Sequence, residues 1–175
     1  MTDYAHLYDI MVINPDKMIS VDKILSRIKA HKPQYDEVTA ATNVPWNVLG
    51  AIHYRESGLD FTRHLANGDP LTARTVHVPK GRPLKGEPPF TWAESAIDTL
   101  LEREWNVIKD WSTSAALQHI EEYNGLGYRK RGLPSPYLWS WTSIYHAGKY
   151  VADGKFDPNA VDQQCGAAVL LKLLM

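Results

Sequence analysis

The sequence predicts a mainly α fold with one short irregular or β-containing insertion. Three observations carry that prediction. Apolar residues recur at helical spacing through residues 20–57 and again through 91–122. Capping residues, prolines and glycines mark where those helices start and stop. Between Asp60 and Pro89 the helical period vanishes while Gly, Pro and basic residues accumulate. At 175 residues, 44% apolar and 22% charged, the composition is that of an ordinary globular protein with enough chain for one core in a single domain, 1–175.

Residues 1–19 show no sustained period and read as an arm lying on the surface or packed across the domain. Ser20 is the expected N-cap of a helix carrying Val21, Ile24, Leu25 and Ile28, with Lys29, His31 and Lys32 at its basic end before Pro33. Tyr35, Val38 and Ala41 continue as a second helix to Asn43. A third runs from Pro45, suited to a first helical position, to Gly58, suited to a left-handed stop. In the unpatterned stretch that follows, the alternation of Thr75 to Val78 before Pro79-Lys80-Gly81-Arg82 hints at a short strand and turn. Leu65, Leu71, Val76 and Val78 are its apolar anchors.

Thr91 and Glu94 form a capping box that opens a long helix through Ala96, Ile97, Leu100, Leu101, Trp105 and Ile108. Ser112 or Thr113 caps the next, which carries Ala116, Leu117 and Ile120 to Glu122 and ends at Asn124-Gly125. A Pro- and Gly-rich stretch leads to Pro136, helix is expected from Tyr137 to Tyr150, and Asp157-Pro158 opens the last helix. There is no internal repeat.

Nineteen Lys plus Arg against twenty Asp plus Glu give a formal charge of −1, so no global field draws the chain to nucleic acid or to an anionic membrane. The single cysteine, Cys165, excludes an internal disulfide and sits in an apolar segment, where it reads as a buried small hydrophobe. No charged-then-apolar leader precedes residue 20 and no apolar run reaches the length of a membrane span. A monomer without cofactor or bound metal is expected.

The chemistry converges on Glu56. In the helix from Pro45, residues Val48, Leu49, Ile52 and Arg55/Glu56 follow the helical period, which puts Glu56 one turn beyond Ile52 on or near the buried stripe. Partial desolvation disfavours a carboxylate and suits a proton donor near neutral pH.

This helix ending Arg55-Glu56-Ser57-Gly58, followed by Glu122-Tyr123-Asn124-Gly125, resembles the goose-type lysozyme and lytic transglycosylase superfamily. Asn67-Gly68-Asp69-Pro70-Leu71-Thr72 and Ser135-Pro136-Tyr137-Leu138-Trp139-Ser140 resemble a phage-type lysozyme-like group, and the likeness spans residues 20–157. The resemblance implies a lysozyme-like fold and cleavage of the β-1,4 bond between N-acetylmuramic acid and N-acetylglucosamine, with peptidoglycan glycan strands as the partner. It implies Glu56 as general acid and a cleft with Tyr123 and Asn124 on its wall; short apolar helices packing around the Glu56 helix leave the residues 60–89 insertion as one lip, opposite the Tyr123 to Trp141 segment. The Gly-Leu-Met-Gln segment usual downstream of the Glu is absent. A phage-type endolysin made in the cytoplasm without a signal peptide, and acting on the wall after release, fits this reading.

A glycosidase also needs a group that manages charge at the sugar carbon. Asp69 is the candidate second catalytic residue and Asp60 the alternative, while Thr72 and Thr75 are candidates to position a water. Tyr123, Asn124 and Tyr137 head a run of aromatic and polar residues suited to sugars, with Tyr128, Trp139, Trp141, Tyr145 and Tyr150. Arg74, with Lys80, Arg82 and Lys85, is a candidate for peptidoglycan carboxylates. Two rivals remain. His53-x-x-Glu56 and His119-x-x-Glu122 each have a spacing that can chelate a metal, as in a metal-dependent amidase or peptidase. A wall-binding module using its aromatic face alone would not need Glu56.

Overall fold

A computed structural model describes residues 3–175 as a mainly helical chain with one small antiparallel sheet. In chain order the helices are α1 (Tyr4–Ile10), α2 (Met18–Ala30), α3 (Lys32–Thr42), α4 (Trp46–Ser57), α5 (Trp92–Glu102), α6 (Thr113–Asn124), α7 (Gly127–Lys130) and α8 (Pro136–Trp139). Strands β1 (Lys149–Ala152) and β2 (Lys155–Asp157) follow, then α9 (Ala167–Leu174). The chain forms two compact units, one of residues Ser26–Trp111 and one joining Met1–Leu25 to Ser112–Met175.

In the Ser26–Trp111 unit, α3 packs on α4 and α5. Gly50 lets α4 approach α2 closely, since a Cβ there would lie 2.5 Å from Cγ2 of Ile28. Helix α3 stops at Asn43, which takes the left-handed conformation (φ 62°) that Asn tolerates. Pro45 lies one place earlier than expected: it is the N-cap of α4, with an extended backbone, and Trp46 is the first helical residue. The capping box of α5 is complete, with Glu94 N donating to Thr91 Oγ1 and Thr91 N to Glu94 Oε2. The helix ends at Glu102 and does not run on to Ile108. Glu104 turns left-handed (φ 58°), and a 3₁₀ turn, Trp105–Val107, buries Trp105 with its ring 5.5 Å from that of Trp111.

In the terminal unit, the segment expected to be an unpatterned arm contains α1. Asp3 caps it by accepting from His6 N, and Tyr4 and Tyr8, one turn apart, are buried. Two turns sample a helical period too briefly for it to stand out in the sequence. Helix α2 starts before Ser20, because Asn14 caps Asp16 N and Pro15 opens a 3₁₀ turn, Pro15–Lys17, that runs into the helix. Helix α1 packs on α6, while α6, α8 and α9 pack on one another.

The expected helix from Tyr137 to Tyr150 is replaced by short α8 and then β1. Ser140 is extended and Trp141 is left-handed at φ 67°, which ends the helical path. Asp153-Gly154, with Gly154 at φ 66°, turns β1 into β2, and Tyr150 pairs with Phe156 across the ladder. The sheet therefore lies here, and no strand forms over Thr75–Val78. Asp157 ends β2 and does not open a helix; the last helix begins at Ala167. Cys165 is fully buried, as expected of a small hydrophobe.

The tightest approach in this unit is at Gly166. A Cβ there would stand 2.3 Å from the backbone oxygen of Leu138 and 2.7 Å from that of Ser140. Backbone cannot yield as a side-chain tip can. Gly166→Ala is therefore expected to destabilise by about 1–3 kcal/mol, typical of overpacking, read as a lower denaturation midpoint at unchanged slope.

Candidate functional site

Helix α4 carries a buried face of Val48, Leu49, Ala51, Ile52 and His53, and Glu56 follows in its last turn, half-buried. The helix is closed by Gly58 (φ 64°) and then Leu59, which is left-handed (φ 66°) and buried. That double left-handed exit turns the chain back, so the Asp60 carbonyl faces His53 Nε2 at 3.2 Å. His53 Nδ1 lies 3.0 Å from the Tyr35 hydroxyl. A carbonyl can only accept, so Nε2 carries the proton and Nδ1 accepts from Tyr35. The ring is clasped by Phe61 and Trp92, with centroids 4.5 and 4.6 Å away. Burial pushes its pKa down to about 4. His53 is thus a neutral structural residue with both nitrogens engaged, which removes it as a metal ligand.

The 60–89 segment is built by side chains gripping backbone. Asp60 accepts from Thr62 N and Oγ1 and from Arg63 Nε, and these bonds, those of Thr62 foremost, hold its carboxyl below the usual range. In Asn67-Gly68-Asp69, Asn67 Oδ1 accepts from Asp69 N while its amide donates to the His77 carbonyl. Asp69 is buried, and its Oδ2 accepts from Val76 N (2.8 Å) and His77 N (3.0 Å). Its Oδ1 lies 2.6 Å from His77 Nδ1. The His77 backbone bond, then the imidazole and Val76 N, lower the Asp69 pKa to about 2. Such a carboxylate is a firm anion and a poor proton acceptor.

Thr75 closes the loop tip. Its N donates to Arg82 O, its O accepts from Gly81 N, and its hydroxyl donates to Pro79 O while accepting from Arg82 N. Those bonds leave the Thr75 hydroxyl serving the loop. Thr72 is exposed. Arg74 donates to the carbonyls of Pro83 and Gly86 and lies over Phe90, and Arg82 pairs with Asp98 at 2.8 Å. The expected basic region is therefore partly consumed by the fold, with exposed Lys80 and Lys85 at its surface. Of the expected anchors, Leu65 and Leu71 are buried, whereas Val76 and Val78 are 65% and 87% exposed.

Glu56, Asp69, Thr72 and Arg74 belong to the Ser26–Trp111 unit, and Tyr123, Asn124 and Tyr137 to the terminal unit. Tyr123 is buried near the end of α6, Asn124 is exposed as its last residue, and Tyr137 is buried in α8. Tyr128, Trp139 and Tyr145 are also buried, so most of the aromatic run is core. Trp141 and Tyr150 are half-buried. Glu121 is buried between the Tyr4 hydroxyl and Arg129. His119 Nδ1 lies 3.4 Å from its neighbour Glu122.

The residue that sequence reasoning passed over is His77. Its side chain is 76% exposed while its Nδ1 is held by a buried carboxylate. The signal lay in the Asn-Gly-Asp turn eight residues upstream, which had a backbone role of its own to explain it. No protein-family model matches this chain, and comparison with curated proteins and with solved structures finds no match.

Two outcomes follow from these bonds. Because the folded His53 pKa lies below the unfolded value of about 6.5, its stabilisation is complete above pH ~6.5 and is lost as pH falls towards 4. Urea midpoints between pH 7 and 4 should record a loss of about 3 kcal/mol that a His53→Gln variant does not show. Asp69→Ala removes the acceptor for two amides. Hydrogen exchange at Val76 and His77 should accelerate at least about tenfold while the amides of α4 keep their protection.

Proposed function

We propose that this chain is a peptidoglycan glycosidase that cleaves the β-1,4 bond between N-acetylmuramic acid and N-acetylglucosamine, with Glu56 as the general acid. The observation that carries the reading is the placement of Glu56, half-buried in the last turn of α4, one turn beyond the buried residues Ile52 and His53. The helix fixes the carboxyl at its own end while leaving it partly open to solvent, which suits a group that must hand a proton to a glycosidic oxygen. The adjoining 60–89 segment is tied down by side-chain hydrogen bonds and leaves Val76, His77 and Val78 exposed, a suitable lip for an extended polymer. The likeness of the Glu56, Asn67–Thr72, Tyr123 and Ser135–Ser140 segments to lysozyme-like enzymes supports the same substrate. The reaction is proton transfer to the glycosidic oxygen, departure of the sugar alcohol, and capture of the sugar carbon by water; it needs no cofactor.

Digestion of purified peptidoglycan followed by mass spectrometry should give disaccharide muropeptides carrying one added water. Free peptides with intact glycan strands would indicate an amidase or peptidase, and anhydro products a transglycosylase. Glu56→Gln should fold and still pellet with peptidoglycan but lose about 10²–10⁴-fold in turnover.

A further inference from the structure

We infer that His77, held by Asp69, is the general base that activates the hydrolytic water. This inference rests on the reading of Glu56 as the acid. A carboxylate can only accept, so the 2.6 Å contact places the His77 proton on Nδ1 and leaves the Nε2 lone pair pointing away from Asp69. The side chain is 76% exposed, so Nε2 is open to a water or a sugar, whereas Asp69 is 8% exposed and its oxygens are turned to His77 and two amides. A buried acid orienting an exposed imidazole is the arrangement by which a carboxylate fixes a tautomer and stabilises the imidazolium that forms.

The support is rigid. The loop is tied by Asn67 to the His77 carbonyl, by Thr75 across its neck and by Arg82 to Asp98 of α5. The charged group in contact with the imidazole is Asp69. A hydrogen-bonded path also joins this loop to the end of α4: His53 to the Asp60 carbonyl, the Asp60 carboxylate to Arg63, and Arg63 to the Gly68 carbonyl beside Asp69. Asp69 therefore contributes as a positioning residue. The bonds from His77 and Val76 hold it as a firm anion, with its pKa lowered to about 2, so it acts through the imidazole.

In the step, a water gives its proton to His77 Nε2 as its oxygen bonds to the anomeric carbon. The bond from that carbon to the leaving oxygen breaks, and Glu56 protonates that oxygen. The imidazolium, paired with Asp69, later returns its proton to solvent and the Glu56 carboxylate regains one. This is a single displacement, so the product emerges with inverted configuration.

The test uses the full chain and soluble glycan oligomers of alternating N-acetylglucosamine and N-acetylmuramic acid. The nascent anomer is read by proton NMR, and turnover is followed for His77→Ala, Asp69→Asn and Glu56→Gln. Inversion is expected, with a loss of about 10²–10⁴-fold in His77→Ala at an unchanged melting temperature and partial recovery on adding imidazole. Asp69→Asn should lower kcat while KM and the melting temperature stay unchanged, because the imidazole loses the partner that orients it. A merely structural Asp69 would not lower kcat alone. Retention of configuration, an anhydro product, or a His77→Ala variant that keeps its turnover while Glu56→Gln is inactive overturns the role of His77 and leaves the Glu56 reading standing. An active Glu56→Gln overturns the reading beneath both.

Discussion

His53 is buried with both ring nitrogens hydrogen-bonded, Nδ1 to the Tyr35 hydroxyl and Nε2 to the Asp60 carbonyl, and the pair of bonds is one that the neutral ring makes. The donor comes from α3, the ring from α4 and the acceptor from the first residue after the Leu59 turn. One imidazole thus sets the distance between two helices and the direction in which the chain leaves the second. Glu56 lies between that ring and that exit, so its position is inherited from them. Phe61 and Trp92 close round the ring and keep water away, which is what holds it neutral.

The 60–89 segment shows how a stretch with no helix or strand of its own can be held in place. Its backbone groups are met by side chains: Asp60, Asn67 and Asp69 cap amides, Arg74 meets carbonyls, and His64 bridges Ser95 and the Ala73 carbonyl. Leu65, Leu71 and Phe90 are buried beneath. The outward residues, among them Val76, His77 and Val78, are thereby displayed on a stiff frame. A functional group on such a loop loses little ordering entropy when a substrate arrives.

The terminal unit is held differently. Glu121 is buried and its charge is met by Arg129, with the Tyr4 hydroxyl donating to the same oxygen and tying α1 to α6. Removing one member would leave a buried charge unmet, a larger loss than the net worth of the pair. Around it, Tyr128, Trp139, Tyr145 and the apolar α9 supply buried area, and Gly166 gives α9 its close approach to the turn after α8. Most of the aromatic residues that suggested a sugar surface are spent on this core.

By itself the sequence determined the features that depend on near neighbours: the mainly helical class, the Asn43 and Gly58 stops, the Thr91–Glu94 capping box, the end of α6 at Gly125 and the burial of Cys165. Capping and helical period are satisfied within a few residues, so the chain displays them openly. Tertiary structure decided what depends on distant partners. The path after Glu102 follows Trp105 into the core, α8 stops at Ser140 where helix was expected to run on to Tyr150, and residues 149–157 pair as a hairpin. The placement of Glu56 on a half-buried last turn was legible from periodicity. Asp69 was legible only as an acid in a turn, because whether its oxygens face water, backbone or an imidazole is settled by residues 76 and 77 folding back onto it, and no local pattern in the chain encodes that return.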